Sequence, residues 1–402
     1  MKINKLLIIL SLYIIPLIGI KAQEVEISKY SFLNTAADTL VFYGQSESEF
    51  DAFVSKFSQM IQLGNRQVNI LHLGDSHLQA DIISAKTRKD FQSFLPGLDG
   101  SVGMITPFTK SAPASYSIKF SPSWHSMNIL STSDKDNLGL WGTTAYTTTK
   151  NNTIEIDVNG RNKTNYDFNC LRIYHSNLSE DDNIIITDIE TAYQKVYHKN
   201  EGYTEFIFAD YISSLNINIS KSDNSTFYLY GLYFNNGNPG VVYNVSGTIG
   251  ATAQSFLNAN KLQEQLNSIP TDLIIISLGT NDAYESGGEN TFENNLTNMI
   301  HKIRETKNNV PIVLISPQEC YWHRKKVNPR SEKATEIVEN VAKNNSCIYL
   351  DMYSVMGGKN SASKLYKNNL MQTDRVHLSQ KGYQLQGDLL YNALWRSIEK
   401  KL

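Results

Sequence analysis

Three cysteines in 402 residues, at positions 170, 320 and 347, are too few and too scattered for a disulfide framework or a cysteine metal cluster. The odd number leaves at least one free thiol. If the apolar runs before Cys320 ("PIVLISPQEC") and after Cys347 ("CIYLD") are neighbouring parallel strands, the two thiols lie at opposite sheet edges, and no disulfide joins them. An excess of charge of one sign is also missing. Thirty-seven Lys and Arg against 39 Asp and Glu leave a net charge of −2. That balance argues against a polyanion such as nucleic acid as partner, because such binding leaves a basic patch or stripe. Long apolar runs are absent except at the start. There Lys2 and Lys5 precede Leu6–Ile20, a run broken by Pro16 and followed by "KAQ". The run is shorter than the ~20 residues that span a bilayer. It predicts a secretion signal cleaved after Ala22 rather than an anchor, and no stable membrane insertion once it is removed.

What is present is an ordinary folding composition, 41% apolar and 19% charged, with room for two domains or one enlarged by an insertion. The 22 tyrosines fit the aromatic, hydrogen-bonding surfaces common in sugar-handling proteins. After the signal, Phe50, Phe53, Phe57 and Ile61 recur at helical spacing, with Gly64 placed to cap. "QVNILHLG" then reads as a buried strand, and "SHLQADIISAKTRKDFQSFL" as a second helix. From about residue 110 to 240 the texture changes to short alternating segments such as "NTIEIDV", "NCLRIYHS", "TEFIFADY" and "STFYLYGLYF". These are separated by Asn, Asp, Gly and Ser clusters, the pattern of a β-sandwich. From Val241 apolar strands ("GVVYNVS", "DLIIISLG", "PIVLISP", "CIYLDMY") alternate with amphipathic helices. The expected organisation is a signal (1–22), the first part of a doubly wound α/β domain (23–109), a β insert (110–240) and the rest of the α/β domain (241–402).

In such a sheet, ligand-facing groups gather beyond the carboxyl ends of the strands. Four polar motifs fall there: "LGDSH" with Ser76, "SGTIGAT" with Gly247 and Gly250, "SLGTNDAY" with Asn281 and Tyr284, and "DRVHLSQKGY" with Asp374 and His377. Each alone has a plain reading as a helix cap or a turn. Together they supply what acyl transfer needs: a hydroxyl nucleophile, an imidazole to take its proton, and a carboxylate to orient the imidazole. Converging donors for an oxyanion would come from the N–H of Ser76, the N–H of a glycine in "GTIG" and the Asn281 amide. This chemistry calls for no metal and no cofactor. Tyr284, Trp322 and His323 also follow strands and are candidates to line a sugar site, or simply to pack.

"GDS", the glycine motif, "GTND" and "DRVHLS" occur in the order of the four blocks of the SGNH hydrolases, also called GDSL esterases and lipases, and the chain resembles that family over Gln67–Gly100 and Val241 to about Leu390. The resemblance implies a three-layer α/β/α fold with a flavodoxin-like parallel sheet, interrupted here by the β-sandwich insertion. It further implies Ser76 as nucleophile, His377 as base and Asp374 as its orienter, with Gly250, preferred over Gly247, and Asn281 completing the oxyanion hole. "GDSH" departs from the usual Leu after the serine. "DMYSVMGG", the insert and "DRVHLSQKGYQLQG" resemble, more narrowly, bacterial peptidoglycan O-acetylesterases and related polysaccharide deacetylases. In those the insert is similar to a carbohydrate-binding module, although no sugar-binding signature is visible in this one. The expectation is an exported serine acetylesterase acting on an acetylated polysaccharide. Hydrolysis of longer acyl esters, and carbohydrate binding without catalysis, stay open as alternatives.

Overall fold

The computed structural model describes residues 27–108, 115–160, 166–284 and 287–402; the predicted signal lies outside them. A six-stranded sheet is built from β1 (Val41–Phe42), β2 (Gln67–Gly74), β3 (Gly240–Gly247), β4 (Leu273–Ser277), β5 (Ile312–Ile315) and β6 (Ile348–Leu350). Its order is β1-β6-β5-β4-β2-β3, with only β1 antiparallel. Counting the five parallel strands along the chain gives 2-1-3-4-5, the flavodoxin-like order implied by the resemblance.

The strands read as continuous apolar runs because both faces are covered. Val68 and Ile70 enter one core while Leu71 and Leu73 enter the other, and β4 and β5 divide in the same way. The first core takes Phe50, Phe53 and Phe57 of α1 (Ser46–Leu63) and Leu389 and Leu394 of the C-terminal helix Gln380–Glu399. The second takes Phe292, Leu296 and Ile300 from Glu289–Arg304 and Ile337 and Val341 from Ser331–Asn344. Helix α1 stops at Gly64, whose φ of 58° lets its N–H reach Met60 O at 3.0 Å.

The helix expected from Ser76 onward is in fact two, α2 (Ser76–Gln79) and α3 (Ile83–Ser93). The break is at Asp81, which has φ 51°. Its buried carboxylate accepts from Ser84 and Ser115 hydroxyls and from both terminal nitrogens of Arg88 at 3.2 and 3.3 Å. A short polar side chain tolerates this left-handed backbone, and periodicity alone does not reveal it. Residues 251–268 divide similarly, into α4 (Ala253–Leu257), started by a Thr252–Ser255 capping box, and α5 (Leu262–Ser268).

The β-rich region forms a seven-stranded and a four-stranded antiparallel sheet. They enclose Ile154, Ile156, Leu171, Ile173, Phe206 and Ile217. The other face of the larger sheet packs through Trp141, Tyr174, Tyr230 and Tyr233 onto the α/β core. Antiparallel pairing starts before residue 110, at Gly103–Ile105, which pairs with Phe227–Asn235. The edge strand Tyr193–His198 gave no sequence signal, since none of its side chains is fully buried and Gln194, Lys195 and Val196 are exposed. All three cysteines are free thiols, Cys347 just ahead of β6 and Cys320 beyond the far end of β5. No helix among the described residues is long and apolar enough to cross a membrane.

Asp38 is buried, and burial pushes its carboxyl up to about 7 against the opposing pull of Arg396, 3.4 Å away. Unfolded, it titrates near ~3.9. Between those values the folded chain holds a proton that the unfolded chain has released, so this group's contribution to stability falls as pH rises through the window. Asp38→Asn is therefore expected to match the parent near pH 4 and to unfold at higher urea at pH 8. Equal midpoints at pH 8 would contradict this.

Candidate active site

Ser76 follows β2, the strand flanked by β3 and β4 where the chain order reverses. That is the switch point at which open α/β sheets bind ligands. The preceding Asp75 caps the short helix by accepting from His77 N at 2.9 Å, which fixes the turn that presents Ser76.

Ser76 Oγ lies 2.8 Å from His377 Nε2, and His377 Nδ1 lies 2.7 Å from Asp374 Oδ2. The carboxylate's other oxygen accepts from the backbone N–H groups of Val376 (2.9 Å) and His377 (3.0 Å). Partial burial would raise the Asp374 carboxyl, but those N–H donors and the imidazole outweigh it and hold it below its ordinary value. It therefore stays anionic and imposes the tautomer that leaves Nε2 free to accept from Ser76. Arg375, at φ 60°, closes the tight loop between the carboxylate and the imidazole.

Behind the imidazole is a support the sequence reading did not identify. His77 is buried with its ring 5.2 Å from that of His377, and its Nδ1 is 2.9 Å from Tyr383 OH. Burial, and then the nearby His377, push it down to about 3, so it is neutral and places no positive charge beside the His377 ring. The signal was in plain view as the residue after Ser76. A space of about 40 Å³ beneath this layer, lined by Asp75, His77, Ser277 and Gln318 among others, has room for about one water.

The glycine loop runs beside the serine. Gly247 is buried in the β2–β3 ladder, and a Cβ there would meet Gln79 N at 2.7 Å, so its place in the fold is a close backbone approach to α2. Gly250, at φ 76°, is partly exposed. Its neighbours are bonded: Thr248 N to Gly74 O, Ile249 N to Gln79 Oε1, Ala251 N to Thr248 O and Thr252 N to Ser255 Oγ. Among the described residues no bond is formed by the N–H of Gly250 or of Ser76. Asn281 donates to Ala251 O at 3.0 Å and, more loosely, to Asp75 Oδ2 at 3.3 Å. Leu130, from the insert and 45% exposed, sits against Gly250, so the insert forms one border of the site. Nothing in the local sequence announced that contact.

Tyr284, Trp322 and His323 come together. His323 N donates to Tyr284 OH at 3.0 Å, and the His323 ring lies 5.6 Å from Tyr284 and 4.6 Å from Trp322. They form one wall between the Asn281 loop and the Asp374–His377 loop. A separate cavity of about 600 Å³ between α3, the C-terminal helix and the insert is lined by none of the residues predicted for catalysis.

Residues 221–385 match the model of the GDSL-like lipase/acylhydrolase family. That region contains Gly250, Asn281, Asp374 and His377, while Ser76 lies on the far side of the insert. Among solved structures, a peptidoglycan O-acetylesterase is similar with a TM-score of 0.72 at 18% identity, over 90% of this chain and 99% of that one. A lipase/acylhydrolase from Enterococcus faecalis matches at 25% identity over 38% of this chain and 75% of that one, with a TM-score of 0.32. An acetyl xylan esterase matches at 20% identity over 38% and 81%, with a TM-score of 0.31. No curated protein sequence matches.

Proposed function

We propose that this chain, a carboxylic ester hydrolase of the SGNH/GDSL type, removes O-acetyl groups from an exported or cell-surface polysaccharide through an acetyl-serine intermediate. The observation that carries the reading is the unbroken relay Asp374–His377–Ser76, at 2.7 and 2.8 Å, beside two backbone N–H groups that have no partner among the described residues. His377 Nε2 takes the Ser76 proton as Oγ bonds to the acetyl carbon. The carbonyl oxygen becomes an oxyanion facing the N–H groups of Ser76 and Gly250 and the Asn281 amide, which gives up its looser bond to Asp75 to reach it. His377 then gives its proton to the departing sugar oxygen. A water, deprotonated by His377, attacks the acetyl carbon, and acetate leaves as Ser76 regains its proton.

The signal-like start and the aromatic wall support a glycan outside the cytoplasm as substrate. The test is acetate release from acetylated peptidoglycan and other acetylated glycans, alongside a p-nitrophenyl ester series and labelling of Ser76 by a fluorophosphonate. Preference for octanoate over acetate would replace the deacetylase with a lipase, and an unlabelled Ser76 would leave only carbohydrate binding. Asn281→Ala is expected to lower kcat by about 10²–10³-fold with a small change in KM, the signature of a donor used mainly in the transition state. Steady-state kinetics on p-nitrophenyl acetate check it, and an unchanged kcat counts against the donor role.

A further inference from the structure

The wall beside the triad carries a concentration of charge that the net of −2 conceals. Tyr321–Trp322 and Lys326–Val327 form a two-stranded hairpin; its turn supplies His323, Arg324 and Lys325 and its second strand opens on Lys326, all exposed. The hairpin is anchored on both catalytic loops. Tyr321 N donates to Arg375 O at 2.8 Å, next to Asp374, and His323 N donates to Tyr284 OH, one turn after Asn281.

Two of the cations, Lys326 of the hairpin and Arg375 of the neighbouring loop, lie over aromatic rings. The Arg375 guanidinium lies over the rings of Tyr321 (5.0 Å) and Tyr366 (4.4 Å), with Nη1 3.4 Å from Arg324 O. Lys326 Nζ is 4.9 Å from the Trp322 ring. Aromatic faces fix such groups while leaving their N–H donors outward. Among the described residues, Arg324, Lys325, Lys326 and Arg375 form no ion pair. The turn also keeps His323 at φ 49° and Arg324 at φ 61°, where glycine or asparagine is the low-strain choice. Strain of this kind persists where the side chain has a use.

We propose that this hairpin is a subsite for the carboxylates of the glycan, so that the preferred substrate is an O-acetylated, carboxylate-bearing polysaccharide rather than a neutral one. The inference rests on the deacetylase reading above and adds the charge of the substrate. The exposed Arg324, Lys325 and Lys326, with the half-buried Arg375 beside them, attract a polyanion and hold a carboxylate of a neighbouring sugar, and salt weakens that attraction.

The experiment measures kcat/KM for acetate release from an acetylated polyuronate, from acetylated peptidoglycan, whose carboxylates sit on lactyl and peptide groups, and from neutral acetylated xylan. Either anionic substrate, whichever source the carboxylate has, is expected to exceed the neutral one. The anionic-to-neutral ratio is expected to fall about tenfold in 0.5 M NaCl and in Arg324→Ser/Lys325→Ser/Lys326→Ser, and to be kept in Arg324→Lys. Because the ratio is read within one preparation, partial misfolding cancels. A wild-type ratio at or below one, or a triple variant with the parental ratio, overturns the subsite while acetate release from xylan keeps the deacetylase reading intact. No acetate from any substrate ends both.

Discussion

Ser76→Ala is expected to lower kcat for acetyl ester hydrolysis by about 10⁴–10⁶-fold while leaving the urea unfolding midpoint close to the parent's. The effect is large because the Ser76 hydroxyl is the nucleophile that His377 activates, and without it the acetyl-serine cannot form. It is not total, because the N–H groups of Ser76 and Gly250 and the Asn281 amide still polarise a bound carbonyl for attack by water. Stability should hold because Oγ makes its recorded bond to His377 alone, at a partly exposed position. Asp374→Asn tests the same relay from its other end. An amide that turns its NH₂ toward Nδ1 selects the wrong tautomer, for an expected loss of about 10⁴-fold. Both are read by p-nitrophenyl acetate kinetics with urea denaturation on the same samples. A Ser76→Ala enzyme within tenfold of the parent would remove the covalent mechanism.

What the sequence made legible is what repeats locally. The strands β2 to β6 announce themselves as apolar runs, and α1 through Phe50, Phe53, Phe57 and the Gly64 cap. Motifs at strand ends become a site once the sheet order brings those ends together, so Ser76 and His377, 301 positions apart, lie within hydrogen-bond distance. Features set by tertiary contact stayed hidden. The helix break at Asp81 depends on partners seven and thirty-four residues away. The strand Tyr193–His198 is specified by its neighbour's free edge rather than by its own alternation. Leu130 borders the site because the insert folds back over the glycine loop. The basic hairpin stands out in the sequence only for Trp322 and His323, because composition averages its charge away. Gly247 and Gly250 separate only when one is seen against the Gln79 backbone and the other with an unbonded N–H.

Arg88→Ala is expected to destabilise the fold by about 3–5 kcal/mol, the usual cost of leaving one member of a buried ion pair uncompensated. Arg88 is 2% exposed, and its Nε also donates to Tyr243 O on β3 at 3.2 Å. Burial opposes its charge, but Asp81 and Tyr166 outweigh that and raise the guanidinium further above its ordinary value. Asp81 in turn holds α2 to α3 and, through Ser115, to the insert. The pair is thus a knot joining the nucleophile's helix, the sheet and the insert. Removing the cation leaves a buried carboxylate without its counter-charge. If that unpaired charge, rather than lost packing, is the main cost, then Arg88→Met/Asp81→Asn should recover most of the stability. Asparagine tolerates the backbone at φ 51°, accepts from one serine hydroxyl through Oδ1 and donates to the other serine oxygen through Nδ2, while methionine fills the stem's volume. Urea denaturation of the two variants decides between the causes. A double variant as weak as Arg88→Ala would assign the loss to packing against β3, and the insert would then be held by shape rather than by charge.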